Sequence, residues 1–350
     1  MLLSVFGTPS ALTYSGCALV RTIADDAIGR HAFIQAIFPA DVKSAWQNID
    51  RSETNAVVLF SDFPASSLLE LISSSRAPAI VFVDDFEEII YHALATREMS
   101  VAQTLRFASQ VVCALDQLRG ELVFRVTSQA CDRPMMDFVV NACEFFGLRE
   151  ARKISTSVLS RLGYDETVKP TFRAHFRDAT PGPITGASFI ARIASHDRAL
   201  IRYVADQYAG IGTGTGRSQI IWPTELFLDW DRPGTLLAGP IDLIGPARFI
   251  ICGPYLHLPI GAWVARVVVE IHANHSGNRL GVDVFSGTIL RGITADLPKS
   301  GIFEFSLPFR IEDPFLPAEL RFQTLAGAIE GTLTLRHVSF QRSEPHNDLS

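Results

Sequence analysis

The chain reads as an α/β half followed by an all-β half: a three-layer domain around a parallel sheet, then an antiparallel β-sandwich or jelly roll. Three observations predict this. Up to about residue 150, short apolar runs bounded by turn residues alternate with helix-period stretches, the pattern of βαβ units around a buried parallel sheet. Beyond residue 222 the hydrophobic period becomes two, with turn signals every 8 to 12 residues. Between the two lies Gly210-Ile211-Gly212-Thr213-Gly214-Thr215-Gly216, which follows a helix rather than a strand and lacks dinucleotide-loop spacing, so it reads as a flexible linker. The expected division is an α/β domain over 1–209, a linker over 210–221, a sandwich over 222–342 and a disordered tail over 343–350.

In the first half, strands are expected at 2–6, 56–60, 79–83 and 121–126. Asp62 and Pro64 open a helix with Leu68, Leu69 and Leu71 on its buried side. Asp84-Asp85 opens another, its early acids matched to the positive end of the helix dipole. Ser100 caps a third running to Leu118, a fourth over 134–146 ends at Gly147 as a left-handed C-terminal residue, and a last one covers 188–208. In the second half, Trp263, Ala265, Val267, Val269 and Ile271 share one face, so Trp263 belongs to the core. Leu280, Val282 and Val284 repeat the pattern, as do Phe303, Phe305, Leu307 and Phe309. The phase slips near Arg336-His337, which predicts a bulge.

The 350 residues, 47% hydrophobic and 19% charged, suffice for large cores and about two domains. A net charge of -6 speaks against neutralising phosphate backbones, so nucleic acid is not an expected partner. Cys17, Cys113, Cys131, Cys143 and Cys252 are an odd set without a CxxC pair, which fits a reducing, cytoplasmic setting. The start lacks a basic n-region, and Gly7-Thr8-Pro9-Ser10 interrupts any apolar segment of a signal peptide. The longest uncharged run, 249–265, is short for a membrane span and contains Pro254, Pro259 and His257. The sequon Asn274-His275-Ser276 would matter only in a secreted protein. His272, His275 and Asp283 lack a third ligand of fixed spacing, so no metal is expected. No GxSxG elbow, HExxH helix or intact P-loop occurs. Trp222, Trp230 and Tyr255 are the aromatics least committed to a strand's apolar face. They read either as platforms for sugar rings or as packing against linker and neighbouring domain.

Three stretches carry a resemblance to a known family: the first strand running into Gly7-Thr8-Pro9-Ser10-Ala11-Leu12-Thr13; Pro78-Ala79-Ile80-Val81-Phe82-Val83-Asp84-Asp85-Phe86-Glu87-Glu88; and Arg125-Val126-Thr127 followed by Phe145-Phe146-Gly147-Leu148. Together they resemble the sulfotransferase branch of the P-loop fold over roughly residues 1–208. That resemblance implies a first loop cradling a 5′-phosphosulfate and a basic residue ending a later strand at a 3′-phosphate. The chain departs from it: Ser10-Ala11-Leu12 stands where the family carries Lys or Arg beside Ser-Gly, Asp84-Asp85 where it carries Arg, and Tyr91 and His92 near its serine. Thr8, Ser10, Thr13 and Asp84 are the candidate nucleotide-loop residues, and the same side chains also read as helix caps, the role such hydroxyls fill in most proteins. The Asp84-Asp85 pair has a further reading, a carboxylate site for a metal or a sugar hydroxyl at the sheet edge. No cofactor is expected, and 3′-phosphoadenosine 5′-phosphosulfate enters only if the domain is an active enzyme.

The phrase Gly253-Pro254-Tyr255-Leu256-His257-Leu258-Pro259-Ile260-Gly261, with a final strand at 333–340, resembles galactose-binding-like jelly rolls of carbohydrate-binding modules and sandwiches appended to bacterial surface-polysaccharide glycosyltransferases. Three functional readings result. The first is a two-domain protein of bacterial surface-polysaccharide assembly, with a glycan-binding sandwich on a non-catalytic α/β domain and other assembly proteins as partners. The second is an active sulfotransferase-like enzyme acting on carbohydrate. The third is a structural homo-oligomer joined through the sandwich.

Overall fold

The computed structural model describes residues 1–50, 52–164, 170–179, 187–275 and 277–343. The tail expected over 343–350 lies outside these residues except for Ser343, as does Ser276 of the sequon. Asn274 itself is buried and donates to the carbonyls of Leu297 (3.0 Å) and Pro298 (3.2 Å). The chain forms two compact units, Met1–Ser100 with Ala114–Arg198 and Gly210–Thr215, and Val101–Cys113 with Ala199–Ala209 and Gly216–Ser350.

The first part of the chain runs β1 (Leu2–Gly7), α1 (Ala11–Ala27), β2 (His31–Gln35), α2 (Pro39–Gln47), β3 (Ala56–Ser61), α3 (Ser66–Ser74), β4 (Ala79–Val83) and α4 (Phe86–Thr96). It continues with α5 (Val101–Leu115), β5 (Val123–Thr127), α6 (Met135–Phe145), α7 (Ala151–Arg161), α8 (Phe172–Ala179), α9 (Ala187–Ile190) and α10 (Ser195–Tyr208). The five strands form a parallel sheet in the order β2-β3-β1-β4-β5. β3 and β4 are buried along their whole length and β1 from Leu3 onward, as continuous apolar runs require of strands covered on both faces. The edge strand β2 is half-exposed and has no such run, which is why only the structure reveals it.

α1 lies close against the sheet because residue 16 is glycine; a Cβ there would run into the Phe82 ring. α6 ends as expected: Gly147 has φ +69° and the Leu148 amide reaches back to Cys143 O at 2.8 Å. Two expectations need correction. α3 starts at Ser66, which turns Leu68, Leu69 and Ile72 inward and leaves Leu71 exposed. The helix expected over 188–208 is broken between α9 and α10. The polar segment forming α7, for which no helix was expected, buries Ile154, Val158 and Leu159 in the core with α1 and α6.

Arg125 holds the glycine-rich run. Its guanidinium donates to the carbonyls of Leu115 (3.1 Å), Leu118 and Gly212, closing the end of α5 and tying down a turn in which Gly210, Gly212 and Gly214 have φ between +81° and +83°. The run is thus an anchored turn, and residues 219–221, read from the sequence as linker, belong to the strand β6. Arg125→Met keeps the aliphatic stem but takes the donor from the Leu118 and Gly212 carbonyls, while Leu115 O keeps the Leu118 amide at 3.2 Å. The substitution is expected to cost about 2–3 kcal/mol, read as a lowered urea midpoint with unchanged slope.

The second part comprises β6 (Gln219–Trp222), β7 (Leu228–Asp229), β8 (Ile241–Asp242), β9 (Arg248–Cys252), β10 (Pro254–Leu256), β11 (Gly261–His272) and β12 (Arg279–Ser286). It ends with β13 (Thr288–Asp296), β14 (Gly301–Ile311), β15 (Ala318–Thr324) and β16 (Thr332–Arg342). One antiparallel sheet has the order β13-β12-β15-β9-β7 with β10 beside β15; the other has the order β14-β11-β16-β6 with β8 beside β16. The inner rows are those of the sequence pattern, with Trp263, Ala265, Val267, Val269 and Ile271 on β11 facing inward and Leu280, Val282 and Val284 doing the same on β12. The phase slip is a bulge: Val268 opposes His337 and Val269 opposes Leu335, so Arg336 is the extra residue, paired outward to Glu270.

Two helical segments belong to this unit. The Ser109 hydroxyl accepts from the His257 amide (3.1 Å), the Tyr208 hydroxyl donates to the His257 carbonyl (2.7 Å), Arg106 Nε donates to Pro254 O (2.8 Å), and Gln207 accepts from the Ile221 amide (3.1 Å). The His257 ring meets Pro314 O at 2.8 Å through Nδ1, and burial pushes its pKa down to about 4, so the neutral ring donates from Nδ1.

Candidate functional site

The outer face of the β13-β12-β15-β9-β7 sheet gathers the side chains with binding chemistry. Because Leu280, Val282 and Val284 point inward, Gly281, Asp283 and Phe285 project to the other face of β12. Glu319, Arg321 and Gln323 do the same on β15 beside inward Leu320 and Phe322. Register sets them in three rungs: Gly281 opposite Gln323, Asp283 opposite Arg321, and Phe285 opposite Glu319. The first rung extends to Phe249 on β9, and the second to Gly292 on β13, which leaves bare backbone beside Asp283.

Arg321 binds Asp283 with two hydrogen bonds, Nε to Oδ1 at 2.8 Å and Nη2 to Oδ2 at 3.2 Å. The guanidinium lies 4.2 Å from the Phe285 ring centre and 5.4 Å from that of Phe249. Beyond Phe249, at 4.9 Å between ring centres, stands Trp230, 44% exposed. Its loop is rigidly tied: the Trp230 amide donates to Ile250 O (3.0 Å), Asp229 accepts from the Asp231 amide (3.0 Å) and Arg232 Nε (2.7 Å), and Arg248 pairs with Asp231 at 2.8 Å. The hydrogen bond from Arg248 holds the Asp231 carboxyl below the usual carboxylate range. The result is a strip of alternating ring faces and charge, Trp230, Phe249, Arg321 and Phe285, bordered by Asp283, Gln323 and Glu319.

Tyr255 sits at the far end of this strip in the left-handed region, φ +67°, with one ring face under the Arg106 guanidinium at 5.0 Å. Burial raises its phenol, and burial also pushes the Glu319 carboxyl up against hydrogen bonds from Tyr255 and Cys252. Trp222 is elsewhere. It is 1% exposed, opposite Val338 on β16 and 4.1 Å from the Phe340 ring, so both its faces are covered by protein and it cannot be a sugar platform. Of the three aromatics expected to bind, Trp230 and Tyr255 border the strip, while Phe249, Phe285, Asp283 and Arg321 were not singled out as sugar-binding residues. The signal for Asp283 and Phe285 was their place in the polar phase of an alternating strand. Asp283 is held by Arg321 rather than poised for a metal with His272 and His275, and among the described residues no group of three His, Cys, Asp or Glu side chains could hold a metal ion.

The loop after β1 has different properties. Only Thr8, Pro9 and Ser10 separate β1 from α1. The Thr8 amide is taken by Phe82 O (3.0 Å), the Thr8 hydroxyl accepts from the Asp84 amide (3.2 Å), and Ser10 Oγ caps α1 at the Thr13 amide (3.4 Å). Thr8, Ser10 and Thr13 are all buried. Asp84 Oδ1 accepts from the Asp85 amide (2.9 Å), Asp85 Oδ1 accepts from Ser128 Oγ (2.8 Å), and burial pushes Asp84 up to about 6. Arg173, across from Asp84, is bonded to Asp132 at 2.6 Å. The turn carries no Lys or Arg, the Thr8 and Thr13 amides have acceptors within the protein, and the Asp84 carboxyl stands beside it. Burial also pushes Cys131 up to about 12 and Cys143 to about 11, so neither is a thiolate nucleophile. A neighbouring contact was not foreseen: the Tyr14 hydroxyl donates to Asp62 Oδ2 at 2.6 Å, with Arg97 at 3.8 Å from the same oxygen.

The raised Asp84 makes a pH prediction. Its native form holds a proton between pH about 4 and 6 that the unfolded chain has released, so its contribution to stability falls as pH rises through that window. Asp84→Asn keeps the acceptor for the Asp85 amide. It is expected to melt above the parent at pH 7 and to lose that advantage at pH 4, as read by thermal scans at both pH values.

No family model and no curated protein matches the chain. Among solved structures, its N-terminal part is similar to a mouse sulfotransferase complexed with PAP, at 10% identity over 60% of this chain and 85% of that one, with a TM-score of 0.39. The chain is also similar to a xylan-binding module, at 12% identity over 37% of this chain and 99% of that one, TM-score 0.25. It is likewise similar to a carbohydrate-binding module in complex with β-1,4-galactotriose, at 9% identity over 39% and 97%, TM-score 0.24.

Proposed function

We propose that the sandwich binds carbohydrate along the Trp230, Phe249, Arg321, Phe285 strip, and that the α/β domain acts in the same protein as a non-catalytic, sulfotransferase-like partner surface. The observation carrying this reading is the Asp283–Arg321 pair set between aromatic rings on an outer sheet face. Sugar rings offer C–H faces that stack on aromatics and hydroxyls that need paired donors and acceptors; an Arg–Asp pair with Gln323 and Glu319 beside it supplies both polarities. The non-catalytic half of the reading is supported by the lack of Lys and Arg in the turn after β1 and by Asp84 beside it. A place in bacterial surface-polysaccharide assembly is the setting in which such a pairing of domains would serve.

The experiment is a two-ligand melt of the full chain. An oligosaccharide panel should contain at least one member that raises the melting temperature, whereas 3′-phosphoadenosine 5′-phosphate should leave it unchanged. A melting temperature raised by the nucleotide would overturn the non-catalytic reading and favour the sulfotransferase-like enzyme.

A further inference from the structure

At the end of the parallel sheet where β1 and β3 begin, a cavity of about 640 Å³ opens between α2 and α3. Its floor is Leu2, Ile34 and Val57 on the three strands, and its walls are Val42 and Trp46 of α2 and Leu71 of α3. Among the described residues lining it, no side chain is charged. The polar side chains of the lining are Thr54, Asn55 and Ser75, all at the end where β3 starts and α3 stops, and the Met1 amine there donates to Asn55 O at 3.0 Å.

α2 supplies the second observation. It has nine residues, none of them buried, with Val42 and Trp46 one turn apart on one face, and Ile49, past its end, also lines the cavity. So short a helix is marginal in water and normally persists by packing such a face onto a core. Here Val42 and Trp46 on that face line the cavity.

We propose that this cavity binds a hydrocarbon chain, with α2 as the wall that the chain completes. The volume lies in the range of small-molecule pockets. The branched aliphatic lining, with a single indole at the rim, suits a flexible alkyl chain rather than a flat aromatic, and the polar end at Thr54, Asn55 and Ser75 accommodates a hydroxyl-sized head. The site is separate from the sandwich and does not depend on the carbohydrate reading.

The test is titration of the full chain with 12-bromododecan-1-ol, whose bromine quenches indole emission on contact. Saturable, one-to-one quenching is expected, largely lost in Trp46→Phe, together with slower amide hydrogen exchange in α2. Leu71 is exposed at the rim, so Leu71→Glu should fold normally and weaken binding by about tenfold or more by placing a carboxylate in the lining. Absence of saturable quenching, quenching that survives in Trp46→Phe, or equal affinity in Leu71→Glu each overturns the proposal.

Discussion

Arg321→Met should lower the stability of the chain by about 3 kcal/mol, read from the urea midpoint, because it leaves Asp283 buried without its partner. Asp283 is 7% exposed, and both of its oxygens are engaged by the one guanidinium. Removing one member of such a pair costs far more than the pair contributes, since the remaining charge has lost both solvent and counter-ion. The double change Asp283→Leu with Arg321→Met should therefore cost less than Arg321→Met alone, with the sign of the coupling visible in a double-mutant cycle. A single variant within 0.5 kcal/mol of the parent would mean that the pair is solvated and that the strip is not preorganised.

A fragment covering 216–343 should fail to unfold cooperatively, although it contains all eleven strands of the two antiparallel sheets. It lacks Arg106, Ser109, Gln207 and Tyr208, which satisfy the carbonyls of Pro254 and His257 and the amides of His257 and Ile221. Unpaired buried backbone groups cost roughly 1–3 kcal/mol each, and four of them exceed what a small domain can spare. Circular dichroism of the fragment against the full chain checks this; a sharp transition at the parent temperature would show that the helices are dispensable. For the same reason, ligand tests belong on the full chain.

Where each residue's environment was set locally, the sequence was legible. β3 and β4 are apolar on both faces and announce themselves; the alternation of β11 places Trp263 correctly in the core; the slipped phase at Arg336 is the bulge. What could not be read depends on register between distant segments. Asp283 and Arg321 are 38 residues apart and meet only because β12 and β15 pair, and Phe249 joins them from a third strand. Trp222 was open to two readings because its strand has four residues and follows a glycine run, too little pattern to mark it as core, and its burial fits the packing one. The turn chemistry after β1 was open to two readings, and the observed Ser10–Thr13 cap fits the helix-capping one. Arg125, read as part of a family anchor, ties three carbonyls whose proximity no spacing rule foretells.

The most direct test of the carbohydrate-binding account is an oligosaccharide panel screened on the full chain, followed by calorimetric titration of any hit on the parent and on Trp230→Ala and Phe285→Ala. The account predicts at least one binder, with affinity reduced about tenfold or more in each variant while the melting temperature without ligand changes little in Trp230→Ala. A panel without a binder, or a binder whose affinity is the same in both variants, would contradict it.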